Sequence, residues 1–247
     1  MAEKISQSLA AILSRLNKKI NLLMVDDEAG IAASLCELFD SPLFNIFTAH
    51  SYEQAVKTID SHNGNWHAWI LDIDLGDEKS GLDLIRAYRN FPYKIVLSGL
   101  GSMGVATRAL ELGAKMAIDK NPGSLSALFD ETCKLSTLGF LLQGRPTKYF
   151  EVFSLLAKAQ IRTARDWAHC ACITPRQLSR ICEIHGAISP LHFIAHYHAV
   201  HLLLENKTVR ADEHGLLQAI KELSGFDVEC LDISSRNSDD FAGLLIR

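Results

Sequence analysis

The sequence predicts an α/β domain built on a doubly wound, five-stranded parallel sheet, followed by an all-α domain. From residue 20 to about residue 135, short apolar runs alternate with longer segments of helical periodicity, which is the pattern of βαβ units. After about residue 136 only the helical spacing remains. Because 247 residues suffice for two domains of ordinary size, we expect two separate cores.

The apolar runs are nearly continuous, as strands buried on both faces of a parallel sheet must be. They are rich in Val, Ile and Leu and lie at residues 20–25, 44–49, 68–71, 94–99 and 114–118. Helical periodicity lies between and after them, at about 28–40, 51–62, 80–90, 103–112 and 124–135, long enough for crossovers on both faces of the sheet. Ser51 and Ser124 stand where they would cap two of these helices.

Composition indicates a globular protein of the cytoplasm. Hydrophobic residues make up 48% and charged residues 22% of the chain, and no apolar run approaches the roughly 20 residues that cross a bilayer. We therefore expect no membrane association and no secretory signal. The six cysteines are scattered, without the density of a disulfide-stapled domain, which favours reduced thiols in a cytoplasmic protein.

Polar residues follow four of the five predicted strands. Because the carboxyl ends of parallel strands meet at one edge of the sheet, these side chains are expected to lie together. They are Asp26 and Asp27 after the first strand, Asp72 and Asp74 after the third, Ser98 after the fourth and Lys120 after the fifth.

Clustered carboxylates at this edge indicate a divalent cation. Carboxylates about 4 Å apart repel by about 4 kcal/mol per pair at an effective dielectric of about 20, unless a cation shares them. Mg²⁺ suits such a site because it accepts a few carboxylate oxygens and keeps several waters. We expect ligands from Asp26, Asp27, Asp72 and Asp74, and a role for Asp72 as nucleophile toward a phosphoryl donor.

The same residues carry a family resemblance over about residues 20–135. MVDDE at 24–28, ILDIDL at 70–75, VLSG at 96–99 and IDKNP at 118–122 resemble the flavodoxin-like receiver domain of two-component response regulators. The resemblance implies that Asp26 and Asp27 bind Mg²⁺ and that Asp72 takes a phosphoryl group from a sensor histidine kinase. It also implies that Ser98 and Lys120 contact that group.

The sequence departs from the usual receiver pattern in three places. The segment from Asp72 to Gly81 is one residue longer than usual, with Gly76 where the family often has proline. Asn121 separates Lys120 from the proline that usually follows directly. Ala117 replaces an aromatic residue that changes rotamer on activation, so a different route for the signal is expected.

The second half resembles the first helix-turn-helix unit of AraC-type regulators over residues 163–204. Trp167 and Ala168 match the buried pair of the leading helix, and Gly186, Ser189, Pro190 and Phe193 match a characteristic later stretch. Leu178 and Ile181 are expected to fix the second helix to the core. The predicted DNA-binding residues are Thr174, Arg176, Gln177 and Arg180, whose donors would reach base edges and phosphates.

Local charge divides the second half. Residues 140–210 contain nine Lys or Arg and four Asp or Glu, which favours double-stranded DNA as a ligand. Residues 211–247 contain three and eight, and the second helix-turn-helix unit looks degenerate. One unit contacts few bases, so a homodimer or another tether is expected to supply a second half-site.

We predict four segments: an N-terminal helical extension at 1–19, the receiver domain at 20–135, a linker at 136–146 and the AraC-like output domain at 147–247, whose first helix spans 147–160. Histidines crowd residues 169–214. Zinc binding by His192 and His196, with a cysteine nearby, is an alternative that we favour less than buried or DNA-facing histidines.

The leading hypothesis is a transcription regulator whose receiver, once phosphorylated at Asp72, shifts the docked or oligomeric state of the helical domain. The alternative is a phosphorylation-dependent protein-interaction module that does not bind DNA. An enzyme is not expected, because no nucleophile and base pair and no nucleotide loop follow residue 140.

Overall fold

The computed structural model describes residues 19–41, 43–62, 64–76, 78–99, 103–158, 161–186 and 188–205. The predicted helical extension at 1–19, apart from its last residue, and the second helix-turn-helix unit beyond residue 205 lie outside these ranges.

The first half contains the predicted parallel sheet. Its five strands are β1 (Ile20–Val25), β2 (Phe44–Ala49), β3 (Ala68–Asp72), β4 (Lys94–Ser98) and β5 (Met116–Asp119). Their order across the sheet is β2-β1-β3-β4-β5, and all neighbouring pairs are parallel. The doubly wound α/β prediction is therefore confirmed, and every predicted run overlaps a strand.

Helices connect the strands and cover both faces of the sheet. They are α1 (Ala29–Leu38), α2 (Tyr52–Ser61), α3 (Gly81–Ala87) and α4 (Met103–Glu111), followed by a 3₁₀ turn (Pro122–Ser124) and α5 (Leu125–Leu141). The Ser51 side chain accepts a hydrogen bond from Gln54 N and caps α2, as predicted. The predicted cap at Ser124 is wrong, because the Asn121 side chain instead accepts from Ser124 N and caps the turn before α5.

The two faces of the sheet bury different helices. One face packs against α2, α3 and α4 through a cluster that includes Leu23, Trp69 and Val96. The opposite face packs against α1 and α5 through a cluster that includes Leu22 and Ile70. Alternate residues of each strand point to opposite faces, so continuous apolar strands supply both clusters.

Helix α5 extends beyond the predicted receiver boundary at residue 135. Residues 136–141 of the predicted linker are helical, and all residues from 135 to 142 are buried. Gly139 permits this burial, because a Cβ at that position would overlap the backbone carbonyl oxygen of His67, directly before β3. A helical segment that is buried on every side must be packed against other elements on every side.

The described part of the second half is helical. It contains α6 (Phe150–Lys158), α7 (Ala164–Cys170), α8 (Pro175–Gly186) and α9 (Pro190–Glu205). Phe153, Trp167 and Phe193 pack together, with ring centroids 4.8–5.8 Å apart. The indole Nε1 of Trp167 also donates to the backbone oxygen of Val152 at 2.7 Å, which ties α7 to α6.

The two halves share one apolar core, whereas the sequence predicts two separate cores. The cluster on the α1 and α5 face continues through Leu138 and Phe150 into α6, α7, α8 and α9. Polar contacts reinforce this continuity. Lys115 Nζ lies 2.6 Å from Glu151 Oε1, and the Tyr93 hydroxyl donates to the backbone oxygen of Arg145 at 3.2 Å.

Within the described ranges, none of the helices has both the length and the apolar character needed to span a bilayer.

Substitution of Gly139 tests the close contact of α5 with the sheet. We expect Gly139→Ala to lower the free energy of unfolding by about 1–3 kcal/mol, because backbone blocks the added methyl group. The measurement is denaturant unfolding followed by circular dichroism. Gly104→Ala in α4 is the matched control, since a Cβ there meets nothing within 4 Å. Equal stability of both variants would contradict the packing of α5 described above.

Candidate functional site

The carboxyl ends of β1 and β3 meet at the centre of the sheet. The chain leaves β1 for β2 on one side and returns to β3 on the other, so the crossover helices diverge to opposite faces and a crevice opens between them. Asp26 and Asp27 follow β1 directly, and Asp72 is the last residue of β3. The register pairs Val25 with Leu71, which brings the residues after them side by side.

Three of the predicted carboxylates converge at this crevice. One oxygen from each of Asp26, Asp27 and Asp72 lies within 4.8 Å of the others. Asp26 and Asp72 are 1% and 4% exposed, whereas Asp27 is open to solvent. The site is therefore an acidic pocket with two buried walls and one accessible side.

Lys120 reaches into this pocket from the end of β5. Its Nζ lies 2.8 Å from Asp72 Oδ2, 3.0 Å from Asp26 Oδ2 and 3.4 Å from Glu28 Oε1. The backbone N–H of Lys120 donates to the oxygen of Ser98 at 2.7 Å, which fixes the residue beside β4. One ammonium group thus bridges carboxylates that follow or end two different strands.

Burial and the ammonium group have opposite effects on the acids. Burial raises the pKa of Asp26 and of Asp72, because a carboxylate loses hydration when it is buried, and Lys120 partly offsets that rise. Burial by itself would lower the pKa of Lys120, but its bonds to Asp72 and Asp26 raise that pKa above its usual value. The lysine is therefore charged near neutral pH, while the carboxylates favour any added positive charge.

The backbone holds Asp72 in a fixed position. Its Oδ1 accepts from Ile73 N at 2.8 Å, and its Oδ2 accepts from Lys120. Gly81, the first residue of α3, donates its N–H to Ile73 O at 2.9 Å and approaches so closely that a Cβ would overlap the Asp72 carbonyl oxygen. The start of α3 is thus packed against the backbone that carries the candidate nucleophile.

The pocket fits a hard divalent cation. Its ligand atoms are all oxygens, which Mg²⁺ and Ca²⁺ prefer. Asp26 Oδ2 is buried and, despite its ion pair with Lys120, has no well-oriented hydrogen bond within the described ranges. A cation would satisfy that oxygen. When bound, it would be held by Asp26, Asp27 and Asp72.

The side chain of Asp74 does not join these carboxylates. It is exposed, lies outside the group that converges within 4.8 Å, and accepts a hydrogen bond from Gly76 N at 3.2 Å through Oδ1. The prediction of a metal-ligating Asp74 carboxylate therefore differs from the structure. A tight turn after β3 directs that side chain to its own backbone.

Ser98 and Glu28 each contact Lys120, Ser98 through its backbone oxygen and Glu28 through its carboxylate. Ser98 is buried at the end of β4, and its hydroxyl donates to Gly99 O at 3.2 Å. It follows Leu97, which pairs with Asp72 in the sheet. Sequence reasoning did not single out Glu28 as a contact of Lys120, although Glu28 completes the same acidic run as Asp26 and Asp27.

The predicted DNA-binding residues lie on or next to α8. Thr174 and Gln177 form a reciprocal cap: Gln177 N donates to Thr174 Oγ1 at 3.2 Å, and Thr174 N donates to Gln177 Oε1 at 2.9 Å. Arg176 and Arg180 are exposed, four residues apart on one side of the helix, and neither makes an ion pair with another described residue. Leu178 is buried on the opposite side, as predicted.

Among the described residues, no further ligands converge on the alternative zinc site at His192 and His196. His192 Nδ1 lies 2.6 Å from Ser189 Oγ, and His196 is buried. Within the described ranges, neither residue belongs to a group of three or more converging His, Cys, Asp or Glu side chains.

Residues 22–130 match the family model described as response regulator receiver domain. The match covers the sheet from the third residue of β1 onward, the acidic pocket and the first part of α5. No protein of curated function matches the chain.

Several solved structures are similar to this chain over 47–66% of its length. A response regulator receiver domain protein from Clostridium thermocellum is 22% identical, with 50% of this chain and 98% of that chain covered and a TM-score of 0.45. A response regulator from Burkholderia pseudomallei, solved with a phosphorylated aspartic acid and a calcium ion, is 22% identical over 66% of this chain and 98% of that chain, with a TM-score of 0.42. In the CheX-CheY-BeF3-Mg complex from Borrelia burgdorferi, the matching chain is 27% identical, with coverages of 47% and 88% and a TM-score of 0.41.

Mg²⁺ binding distinguishes the converging carboxylates from Asp74. We expect Asp27→Asn to weaken Mg²⁺ binding by at least about tenfold, or about 1.4 kcal/mol, because one of three anionic ligands is lost. Asp74→Asn, an exposed substitution of the same type, is expected to leave the affinity within about twofold. Isothermal titration calorimetry on both variants measures the difference. Equal losses would contradict the three-carboxylate pocket.

Proposed function

Residues 22–130 are a response regulator receiver domain, and from this premise we propose that the protein is a phosphorylation-controlled, DNA-binding transcriptional regulator of a two-component system. Its phosphoryl donor is a sensor histidine kinase, and its site of action is the cytoplasm. Asp72 is the phosphoryl acceptor, and Mg²⁺ is the cation that Asp26 and Asp27 hold.

One observation carries the receiver half of this proposal: Lys120 Nζ lies 2.8 Å from Asp72 Oδ2 within a pocket of three carboxylates. An Asp72 oxygen attacks the phosphorus, the bond from phosphorus to the donor imidazole nitrogen breaks, and that nitrogen keeps the electron pair. Burial that raises the pKa of Asp72 also makes its carboxylate more basic and so a better nucleophile. Mg²⁺ held by Asp26 and Asp27 would supply positive charge to the oxygens of the transferred phosphoryl group.

Once Asp72 is phosphorylated, the bonds around Lys120 must change. Asp72 Oδ2 then carries or neighbours a phosphoryl group with about two negative charges, so the ammonium moves toward the new oxygens and away from Asp26. Lys120 directly precedes Asn121, whose side chain caps the turn that begins α5. A shift of Lys120 therefore reaches α5, which packs against α9 of the helical half.

The route through α5 suits a chain with Ala117 in place of the usual aromatic residue. Ala117 lies within β5 and pairs with Val96. A methyl group therefore occupies the position where an aromatic ring would change rotamer on activation. Because the helical half shares its core with α5, a change in the tilt or register of that helix alters its docking directly.

The exposed guanidinium groups of α8 support DNA as the ligand of the helical half. Arg176 and Arg180 face solvent while Leu178 anchors the opposite side of the helix. Thr174 and Gln177 fix the N-terminus of the helix through their mutual cap, which positions Arg176 in the first turn of the helix. A dimer would place two such helices on successive half-sites.

A protein partner is the second candidate for the helical half. Ile184, also on α8, is 62% exposed, and a large apolar side chain at that position favours a protein surface over a phosphate backbone. The acidic composition of residues 211–247 argues in the same direction. In this alternative, phosphorylation still controls docking, but α8 contacts a partner protein.

Phosphoryl transfer is expected to depend on Asp72. Incubation with acetyl phosphate and Mg²⁺ should add one phosphoryl group to the full chain and none to Asp72→Asn, as measured by intact-protein mass spectrometry. Asp74→Asn is the matched control and should remain a substrate. Phosphorylation of Asp72→Asn to the same extent would overturn the assignment of the acceptor.

DNA binding is expected to depend on Arg176 and Arg180. Each substitution to Ala should weaken binding by about 1–3 kcal/mol where the arginine contacts a base, or lower the salt slope by about one where it contacts a phosphate. Fluorescence anisotropy with duplex DNA at several salt concentrations measures both effects, and Arg89→Ala in the receiver half is the control. Negligible DNA affinity at low salt would instead favour the protein-partner function.

A further inference from the structure

A second cluster of charged residues lies between α5 and α9, away from the acidic pocket. Helix α5 contributes Asp130, Glu131 and Lys134, whose ammonium lies 2.6 Å from Asp130 Oδ2 and 2.9 Å from Glu131 Oε1. Helix α9 contributes His201 and Glu205, with His201 Nε2 3.3 Å from Glu205 Oε1. The cluster therefore spans the boundary between the receiver half and the helical half.

Three of these side chains have the geometry of a metal site. One potential ligand atom from each of Asp130, His201 and Glu205 lies within 4.8 Å of the others. His201 and Glu205 are four residues apart and so share one face of α9, while Asp130 faces them from α5. Together they offer an imidazole nitrogen and two carboxylate oxygens.

The charges of the cluster do not balance. Asp130, Glu131 and Glu205 carry three negative charges when ionised, and Lys134 supplies one positive charge. The side chains of Asp130 and Glu205 also share a hydrogen bond, so acids from two helices are held against each other.

Buried polar atoms next to the cluster give a second, independent indication of a ligand. Tyr197 is 1% exposed, and its hydroxyl has no hydrogen-bond partner within the described ranges. Its ring centroid lies 5.6 Å from that of His201, and the charges of Glu131, Glu205 and Asp130 act on its hydroxyl. Nδ1 of His201 is buried without a partner as well, within the same part of the chain. Buried polar atoms are rarely left unsatisfied, so a bound species with hydrogen-bonding ligands of its own fits here.

We propose that Asp130, His201 and Glu205 bind a divalent transition metal ion of the zinc type, which fastens α9 to α5. Imidazole nitrogen and carboxylate oxygen are both ligands that Zn²⁺ accepts and Co²⁺ can share, whereas Mg²⁺ prefers oxygen ligands alone. Three protein ligands leave a coordination position for water or another small ligand. The side chain of Asp130 is 43% exposed, which gives the ion a path from solvent.

Cobalt absorption spectroscopy tests this site in the full-length protein. The protein is stripped with EDTA and titrated with Co²⁺ in excess Mg²⁺, which fills the receiver pocket. We expect one equivalent of Co²⁺ with visible absorption, displaced by Zn²⁺. His201→Gln and Asp130→Asn should lose that absorption, whereas His192→Gln, the same substitution elsewhere on α9, should retain it.

Lys134→Met is expected to strengthen Co²⁺ binding, in contrast to the two ligand substitutions. Because the ammonium competes with a metal ion for Asp130, its removal should tighten Co²⁺ binding by at least tenfold. Circular dichroism in EDTA checks the fold of each variant. If His201→Gln fails to fold, Asp130→Asn at its partly exposed position carries the test.

Three outcomes would overturn the proposal. The first is the absence of Co²⁺ binding to the unmodified protein. The second is unchanged binding to a folded His201→Gln or Asp130→Asn variant. The third is a thiolate charge-transfer band that disappears in Cys170→Ser, Cys172→Ser, because it would assign the bound ion to the exposed cysteines.

Discussion

Burial of the C-terminal part of α5 on every side is the constraint on which the rest of this structure depends. The helix lies on the sheet through Leu128 and Leu138, and its other sides meet α6 and α9. Eight consecutive residues, from 135 to 142, are buried. A sheet could cover only one side of them, so other elements must cover the remaining sides. The helical half is therefore packed into the same fold as the receiver half and is not only appended to it.

The acidic pocket and this shared helix are joined within a few residues. Lys120 bridges Asp26 and Asp72 at one end of β5, and the turn capped by Asn121 follows directly. Buried carboxylates that favour added positive charge make the position of the Lys120 ammonium sensitive to any new charge at Asp72. The electrostatics of the pocket and the packing of the helical half are thus properties of one continuous segment.

Much of this arrangement follows from sequence, because apolar runs of strand length and the polar residues after them are local patterns. They predict the sheet and the convergence of Asp26, Asp27, Asp72 and Lys120. Features that depend on tertiary contacts are harder to predict from the sequence. The side chain of Asp74 turns back to Gly76, and the shared core requires knowledge of which sides of α5 are covered. The pair His201 and Glu205 has helical spacing in the sequence, but its partner Asp130 is distant along the chain.

The shared helix also bears on how such a chain can evolve. Multidomain regulators can exchange their output domains when the linker between the domains is solvated and makes no packing contact with either domain. Here Leu138 and Phe150 belong to one continuous core. Recombination at the boundary between the two halves would therefore expose apolar surface on both of them. Inheritance of the two halves as a single unit is the expected result, with substitutions on one side of the boundary compensated on the other.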